Sequence, residues 1–234
     1  GILNTNPDNS IYEFEEKPKQ PKSTNASMGI YCFNWKVLRE ALIADEADPN
    51  SSKDFGKNII PNMLKAGEKM WAYRFNGYWR DVGTISSLWD ANMDMLSPDL
   101  INLFDAEWPV RSRTAIRPPH WVGDNATVDH SIITEGCEVE GKVENSVLSN
   151  SCIVGEGAVV SYSVLMPGVV VEPGAVVEYA ILGENAVIKA GAHVGTQPDG
   201  SEEWGVATVG PDVTIGEGAA VAAGAMIYES VEGK

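Results

Sequence analysis

Glu15-Glu16-Lys17-Pro18 sets two carboxylates and an ammonium side by side, at the end of a run (Ile11 to Glu16) that alternates well enough for a strand. An ammonium is a compact charge suited to a phosphate, and a carboxylate beside it can accept hydrogen bonds from sugar hydroxyls. The same residues also suit a solvated strand end next to a basic turn holding Lys19 and Lys22. A second segment, Gly77-Tyr78-Trp79-Arg80-Asp81-Val82-Gly83-Thr84, leaves a strand and enters a helix. Ligands of open α/β sheets sit beyond the carboxyl ends of strands, so Asp81 stands where a carboxylate could hold a hard cation such as Mg²⁺. An Asp that merely bonds the backbone of the next helix would have the same neighbours. Ser27, before the apolar run Met28 to Phe33, could touch a substrate or simply begin a strand. His120, His130 and His193 lack metal-ligand spacing, and no side chain is assigned a catalytic role.

These residues must be held by mixed α/β structure over residues 1–96. Strands are expected at Ile11 to Glu16, Met28 to Phe33, Met70 to Phe75 and Tyr78 to Val82, by alternation or by short apolar runs. Asn34 can cap a helix with Trp35, Leu38, Ala41 and Leu42 on its apolar face. Asp54 can cap a second helix that buries Ile59, Ile60, Met63 and Leu64 and stops at Gly67. Thr84 can cap a third, Ile85 to Leu96, with Leu88, Trp89, Asn92 and Met95 along one side. Residues 97–118 change character: Pro98, Pro109, Pro118 and Pro119 break periodicity, and Arg111, Arg113 and Arg117 cluster in a linker.

Residues 119–234 follow another rule. Aliphatic residues recur in steps of six, six and five: Val154, Val160, Leu165, Val171, Val177, Leu182, Ile188, Val194. Two positions before most of them stands a small residue, such as Cys152, Ala158, Ser163, Ala175 or Ala186. This is the hexapeptide repeat of a parallel β-helix, in which each coil buries its faces against its neighbours. Between Ile133 and Leu148 one coil is shorter than 17 residues, and a polar excursion from Thr196 to Ala207 leaves the stack before Val209 resumes it.

Charge and cysteines narrow the function classes. The net charge of −16 argues against nucleic acid as a partner, since a phosphate backbone needs a basic surface. No stretch approaches the length of a membrane span. Residues 1–118 hold 14 Lys+Arg against 16 Asp+Glu, whereas residues 119–234 hold 3 against 17. An anionic ligand must therefore find its cations in the first half or in another chain. Cys32, Cys137 and Cys152 cannot pair completely; they read as small buried hydrophobes and fit a reducing cytoplasm.

FEEKPKQPKSTNASMGIYCF, KDFGKNIIP and GYWRDVGTISSLWDANMDML, in that order and followed by a hexapeptide helix, resemble bacterial ADP-glucose pyrophosphorylase (glucose-1-phosphate adenylyltransferase). The resemblance implies the C-terminal part of a Rossmann-like nucleotidyltransferase domain over 1–96, a linker over 97–118 and a left-handed parallel β-helix over 119–234. It implies a reaction of ATP with glucose-1-phosphate that gives ADP-glucose and pyrophosphate, feeding glycogen synthesis. Lys17 would hold the substrate phosphate, Glu16 the sugar, Ser27 would line the same pocket, and Asp81 would be one of two carboxylates on Mg²⁺. It also implies a homotetramer with an anionic metabolite effector, for which Arg111, Arg113 and Arg117 are the available cations. The Gly-rich loop that holds ATP in that family, and its other metal-binding aspartate, are absent from the chain and are expected upstream of Gly1. The expectation is that these residues alone do not make ADP-glucose, and that the first 96 self-associate or are partly disordered. Two other readings remain: a non-catalytic regulatory or assembly subunit of the same enzyme, and a hexapeptide acyltransferase, which would leave the first 96 residues unexplained.

Overall fold

A computed structural model describes residues 1–111 and 116–233; Arg113 and Lys234 lie outside the described residues. The chain divides into two compact units, Gly1–Trp79 and Arg80–Lys234.

In the first unit, β1 (Ile2–Thr5) pairs antiparallel with β2 (Ile11–Glu15), with Leu3 opposite Phe14 and a register shift at Asn4/Thr5. The pair is held by a polar contact as well as by its ladder. Asn4 is buried, and its Nδ2 donates to Glu13 (2.9 Å) and Glu15 (2.8 Å), two residues on one face of β2. Lys22 Nζ then donates to Glu13 at 2.8 Å.

Helix α1 (Trp35–Ala47) starts as its sequence dictates, with Asn34 Oδ1 accepting from the Lys36 N–H at 3.0 Å. At its other end the Lys53 ammonium donates to the carbonyls of Asp45, Glu46 and Asp48, which satisfies acceptors that a helix C-terminus leaves open. Asp54 caps the next helical segment as expected. That segment opens as a wide turn with i→i+5 bonding over Phe55–Ile59 and tightens into α2 (Ile60–Lys65). Ile59, Ile60 and Met63 are buried there, and Gly67, at φ +81°, ends it.

Three expected strands do not form. Met28 to Phe33, Met70 to Phe75 and Tyr78 to Val82 contribute only one isolated bridge, Trp71 to Ser10. An apolar run becomes a strand only when neighbours take up its N–H and C=O groups along its length, and here the pairing stops at the start of β2, where the Ile11 N–H donates to the Met70 carbonyl and the Ala72 N–H to the Asn9 carbonyl at 2.9 Å each. Their side chains follow: Ile30 is 72% exposed and Tyr73 88%. Cys32, expected to be buried, is exposed for the same reason.

The second unit begins with α3 (Ile85–Asp94), two residues shorter than the expected span because Met95 serves as its C-cap. Its N-terminus is a reciprocal capping box between Thr84 and Ser87. Beyond residue 120 the chain winds into a parallel solenoid of three six-stranded sheets, with strands of two or three residues. Partners in successive coils stand 17 apart along most of its length, as in Val159↔Val176 and Leu165↔Leu182. The large aliphatics of the repeat and the small residues before them are all fully buried from Cys137 to Val194. Both cysteines predicted to point inward do so. Cys152 donates to the Met166 carbonyl, and its hydrogen bond with Cys137, added to burial, pushes its thiol up, so it packs as a neutral group.

The two irregular coils are resolved as well. Lys142 pairs with Thr127, and Val147 with Ile132, 15 residues apart instead of 17. The two missing residues come from the corner between Glu138–Val139 and Lys142, where Gly141 closes the turn. A Cβ on Gly141 would collide with the Ala158 carbonyl and lie 2.6 Å from that of Gly155. In the other direction, Ile181 pairs with Thr208, 27 residues on, so the excursion adds ten residues at one corner without disturbing the sheets. At that corner a hydroxyl ladder links coils. Ser131 accepts from the Ser146 N–H, Ser146 from the Ser163 N–H, and Ser163 from the Ala180 N–H, each at 3.1 Å.

Gly141→Ala should therefore destabilise the solenoid by about 1–3 kcal/mol, the usual cost of forcing atoms into a filled interior. Glu140→Ala, at the exposed neighbouring position, should cost little. Thermal unfolding of the two variants measures this, and equal midpoints would show that the short coil is not tightly closed.

Candidate functional site

The carboxyl end of β2 delivers Glu16 and Lys17 out of the strand. Of the two adjacent glutamates, Glu15 faces Asn4 and is held by it. Alternation then sends Glu16 to the opposite face. There its carboxylate lies against the wide turn that begins α2: a Cβ placed on Gly56 would fall 2.5 Å from Glu16 Oε2 and 3.4 Å from Asp54 Oδ1. Gly56 is thus the residue that lets the carboxylate approach the helix start. The backbone nitrogen of Gly1 stands 3.5 Å from the same Oε2.

Lys17 adopts φ +47°, in the left-handed region that a side chain with a Cβ enters at a cost. Backbone strain of this kind persists only where the surroundings over-determine it, and it clusters at functional positions. The Lys17 ammonium is exposed and helps hold Asp54 below its ordinary range, although the main cause there is the hydrogen bond Asp54 accepts from the Lys57 N–H.

Ser27 belongs to the same neighbourhood. Its N–H donates to the Gly1 carbonyl at 2.8 Å, while its hydroxyl shares a 3.0 Å hydrogen bond with the Tyr31 hydroxyl and accepts from the Gly29 N–H. Tyr31 stacks on Phe55, with centroids 6.0 Å apart and planes 11° from parallel, and Phe55 precedes Gly56. A continuous chain of contacts therefore runs Ser27, Tyr31, Phe55, Gly56, Glu16, with Lys17 at its end. The segment thus offers an exposed ammonium, a carboxylate and a hydroxyl, with the Tyr31–Phe55 pair beside the hydroxyl. Such a set can bind a hydroxylated anion.

Sequence reasoning assigned Asp54 a capping role, which it has. It missed that Gly56 abuts the Glu16 carboxylate and that Phe55 and Tyr31 run from there to Ser27. The signal available was the run Lys53-Asp54-Phe55-Gly56, where a glycine directly inside a helix start is out of place unless something must come close.

Asp81 lies in the second unit, in the loop before α3. Its Oδ1 accepts from the Gly83 N–H at 2.9 Å, the turn-forming geometry that its sequence also allowed. Among the described residues no group of three or more His, Cys, Asp or Glu converges to hold a metal ion. Of the arginines considered for an effector, Arg111 and Arg117 are exposed, and Arg113 lies outside the described residues. His130 and His193 project outward as expected, bonded to Asn145 and Glu178. Among the described residues no helix is long and apolar enough to cross a membrane.

Comparison with known proteins accords with this layout. Residues 1–98 match the family described as Nucleotidyl transferase, and residues 119–215 match the one described as GlmU-like, C-terminal hexapeptide. Glucose-1-phosphate adenylyltransferase of Clostridium perfringens (strain SM101 / Type A) is 61% identical over 161 residues, 68% of this chain and 42% of that protein. The protein of the same name from Fusobacterium nucleatum is 56% identical over 161 residues, 68% of this chain and 42% of that protein. That from Acetivibrio thermocellus is 54% identical over 162 residues, 68% of this chain and 38% of that protein. The chain thus spans about two fifths of the length of these relatives, matching their C-terminal part through its own N-terminal 68%.

Because the folded-state value of Asp54 is depressed, its capping contribution is complete above the ordinary carboxylate range. It is lost as pH falls through the lowered value. Acidification should lower the protection factor of the Lys57 amide (the intrinsic exchange rate at each pH relative to the observed rate), and Asp54→Ala should abolish that pH step; a step that survives the substitution would remove Asp54 as its cause.

Proposed function

We propose that these residues form the sugar-phosphate-binding and solenoid portion of a glucose-1-phosphate adenylyltransferase, with the ATP-binding residues contributed by sequence outside the 234. What supports the proposal is that Glu16 and Ser27 both lie against Gly1, with Lys17 next to Glu16, in a chain similar to enzymes of that name. In the reaction, a phosphate oxygen of glucose-1-phosphate bonds to the α-phosphorus of ATP while the bond to the β-phosphate oxygen breaks, releasing pyrophosphate and leaving ADP-glucose. The product is the glucosyl donor for glycogen synthesis.

Such a transfer needs positioning and charge neutralisation more than covalent help. Lys17 neutralises and orients the attacking phosphate, Glu16 accepts hydrogen bonds from glucose hydroxyls, and Ser27 lines the pocket. No residue of this chain acts as nucleophile or general base. Asp81 is proposed as one of two carboxylates on Mg²⁺, the second coming, like the nucleotide loop, from outside the chain. By the same proposal the 234 residues alone do not turn over, and the working enzyme is a cytoplasmic homotetramer. Its anionic effector is proposed to bind near Arg111 and Arg117, with Arg113 of the same cluster.

In the protein carrying the nucleotide-binding portion, Lys17→Ala should weaken glucose-1-phosphate binding about 10- to 100-fold, as expected for one lost charged hydrogen bond. The KM for ATP should change little. Steady-state kinetics in both substrates tests this, and an unchanged KM for glucose-1-phosphate would remove Lys17 from the site. Charge reversal of Arg111 and Arg117 should blunt the response to anionic effectors without altering basal turnover; an unchanged response would place the effector elsewhere.

A further inference from the structure

The solenoid corner that carries the ten-residue excursion is also where α3 docks, and one aromatic side chain joins the two. Four coils place a left-handed residue there: His130, Asn145, Tyr162 and Tyr179, with φ between +40° and +47°. His130 and Asn145 share a 2.9 Å hydrogen bond, and the two tyrosines stack. Tyr162 and Tyr179 lie face to face, 4.6 Å between centroids and 6° from parallel. Tyr179 is gripped from two further directions: Trp89 of α3 sits 5.9 Å away, and Trp204 of the excursion meets it edge-on at 5.6 Å and 82°. The indoles are tied down as well. Trp89 Nε1 donates to the Tyr162 carbonyl at 2.7 Å, and Trp204 Nε1 to the Thr196 carbonyl at 3.0 Å. Around them Ile85, Leu88 and Met93 of α3 pack with Val164 and Ile181 of the solenoid and Val206 of the excursion.

Helix α3 is the support of the Asp81 loop. Arg80, immediately before Asp81, reaches along the helix to Asp90 (3.0 Å) and Asp94 (2.7 Å). Asp81 itself bonds to Gly83, which leads directly into the Thr84–Ser87 capping box. The position of Asp81 thus depends on α3, that of α3 on Trp89 and Tyr179, and that of Tyr179 on Trp204, more than a hundred residues further along the chain.

We infer that the excursion is a positioning clamp: Trp204, pressing Tyr179 against Trp89, holds α3 on the solenoid and so fixes the Asp81 loop. This rests on the proposed role of Asp81 for its catalytic meaning, but the mechanical coupling can be read without any substrate. Aromatic pairs of this geometry contribute beyond their buried area, and a surface excursion opens locally before the coils do.

The test is amide hydrogen exchange on the 234-residue chain, followed at Gly83 and Ser87 as reporters and at Val154 and Val171 as controls for intact coils. Trp204→Ala should speed exchange at the two reporters about tenfold or more and leave the controls unchanged. Trp204→Phe, which keeps a ring but loses the indole N–H, should restore most of the protection, a rescue that a merely unfolded variant would not show. Tyr179→Leu should reproduce the loosening by removing the middle of the stack. Reporter amides that stay within twofold of the parent in Trp204→Ala, with the excursion itself loosened, would overturn the inference. In the protein with the nucleotide-binding portion, Trp204→Ala should lower kcat with little change in either KM, and an unaltered kcat beside loosened reporters would overturn the catalytic meaning of the Asp81 loop while the clamp stands. Asp81→Asn separates the two ideas. If that variant keeps full activity while Trp204→Ala still loosens Gly83, the coupling stands and the reading of Asp81 falls.

Discussion

Equal coil length is the constraint on which the second unit depends. Each face of the prism takes one large aliphatic and one small side chain per coil, and a strand of two residues has no stability of its own. It persists because the coils before and after it present the same face at the same height. Any departure from 17 residues must then be absorbed at a corner, where the backbone can turn without shifting the sheets. Gly141 absorbs a loss of two, and the excursion absorbs a gain of ten. The gain leaves the coils undisturbed because it projects outward, whereas the loss brings backbone within contact of the next coil and tolerates no side chain.

The two halves were legible in the sequence to different degrees, for a physical reason. In the solenoid every residue's environment is set by neighbours at fixed separation, so the spacing of Val154, Leu165 and Val171 already names their burial. The short coil was visible as a broken count, but only the clash at Gly141 shows which corner gave way. In the first unit the helix caps Asn34, Asp54 and Thr84 were equally plain, because a cap is a contact within three residues. Strands are different. Whether Met28 to Phe33 or Met70 to Phe75 forms one depends on what lies beside it, and that information is not local. Cys32 was misread along with its segment.

The ligand surface shows the same division. Glu16, Lys17 and Ser27 stood out by residue type. Gly56, Phe55 and Tyr31 are needed to bring them together, yet read locally as a helix start and an apolar run. Separating Glu15 from Glu16 required the register of β2, which commits the first to Asn4 and frees the second. The left-handed backbone of Lys17 is invisible in sequence, since nothing but structure distinguishes a strained lysine from a relaxed one.

The hydroxyl ladder of Ser131, Ser146 and Ser163 bears on how such a molecule can change over time. Each rung touches only the coil above and the coil below, and the rung at Ala180 is filled by a residue that needs no hydroxyl of its own. Gain or loss of one whole repeat within the regular stretch would hand each surviving coil a neighbour of the same shape. The height of the column is therefore free to drift in whole storeys, while its triangular floor plan is not.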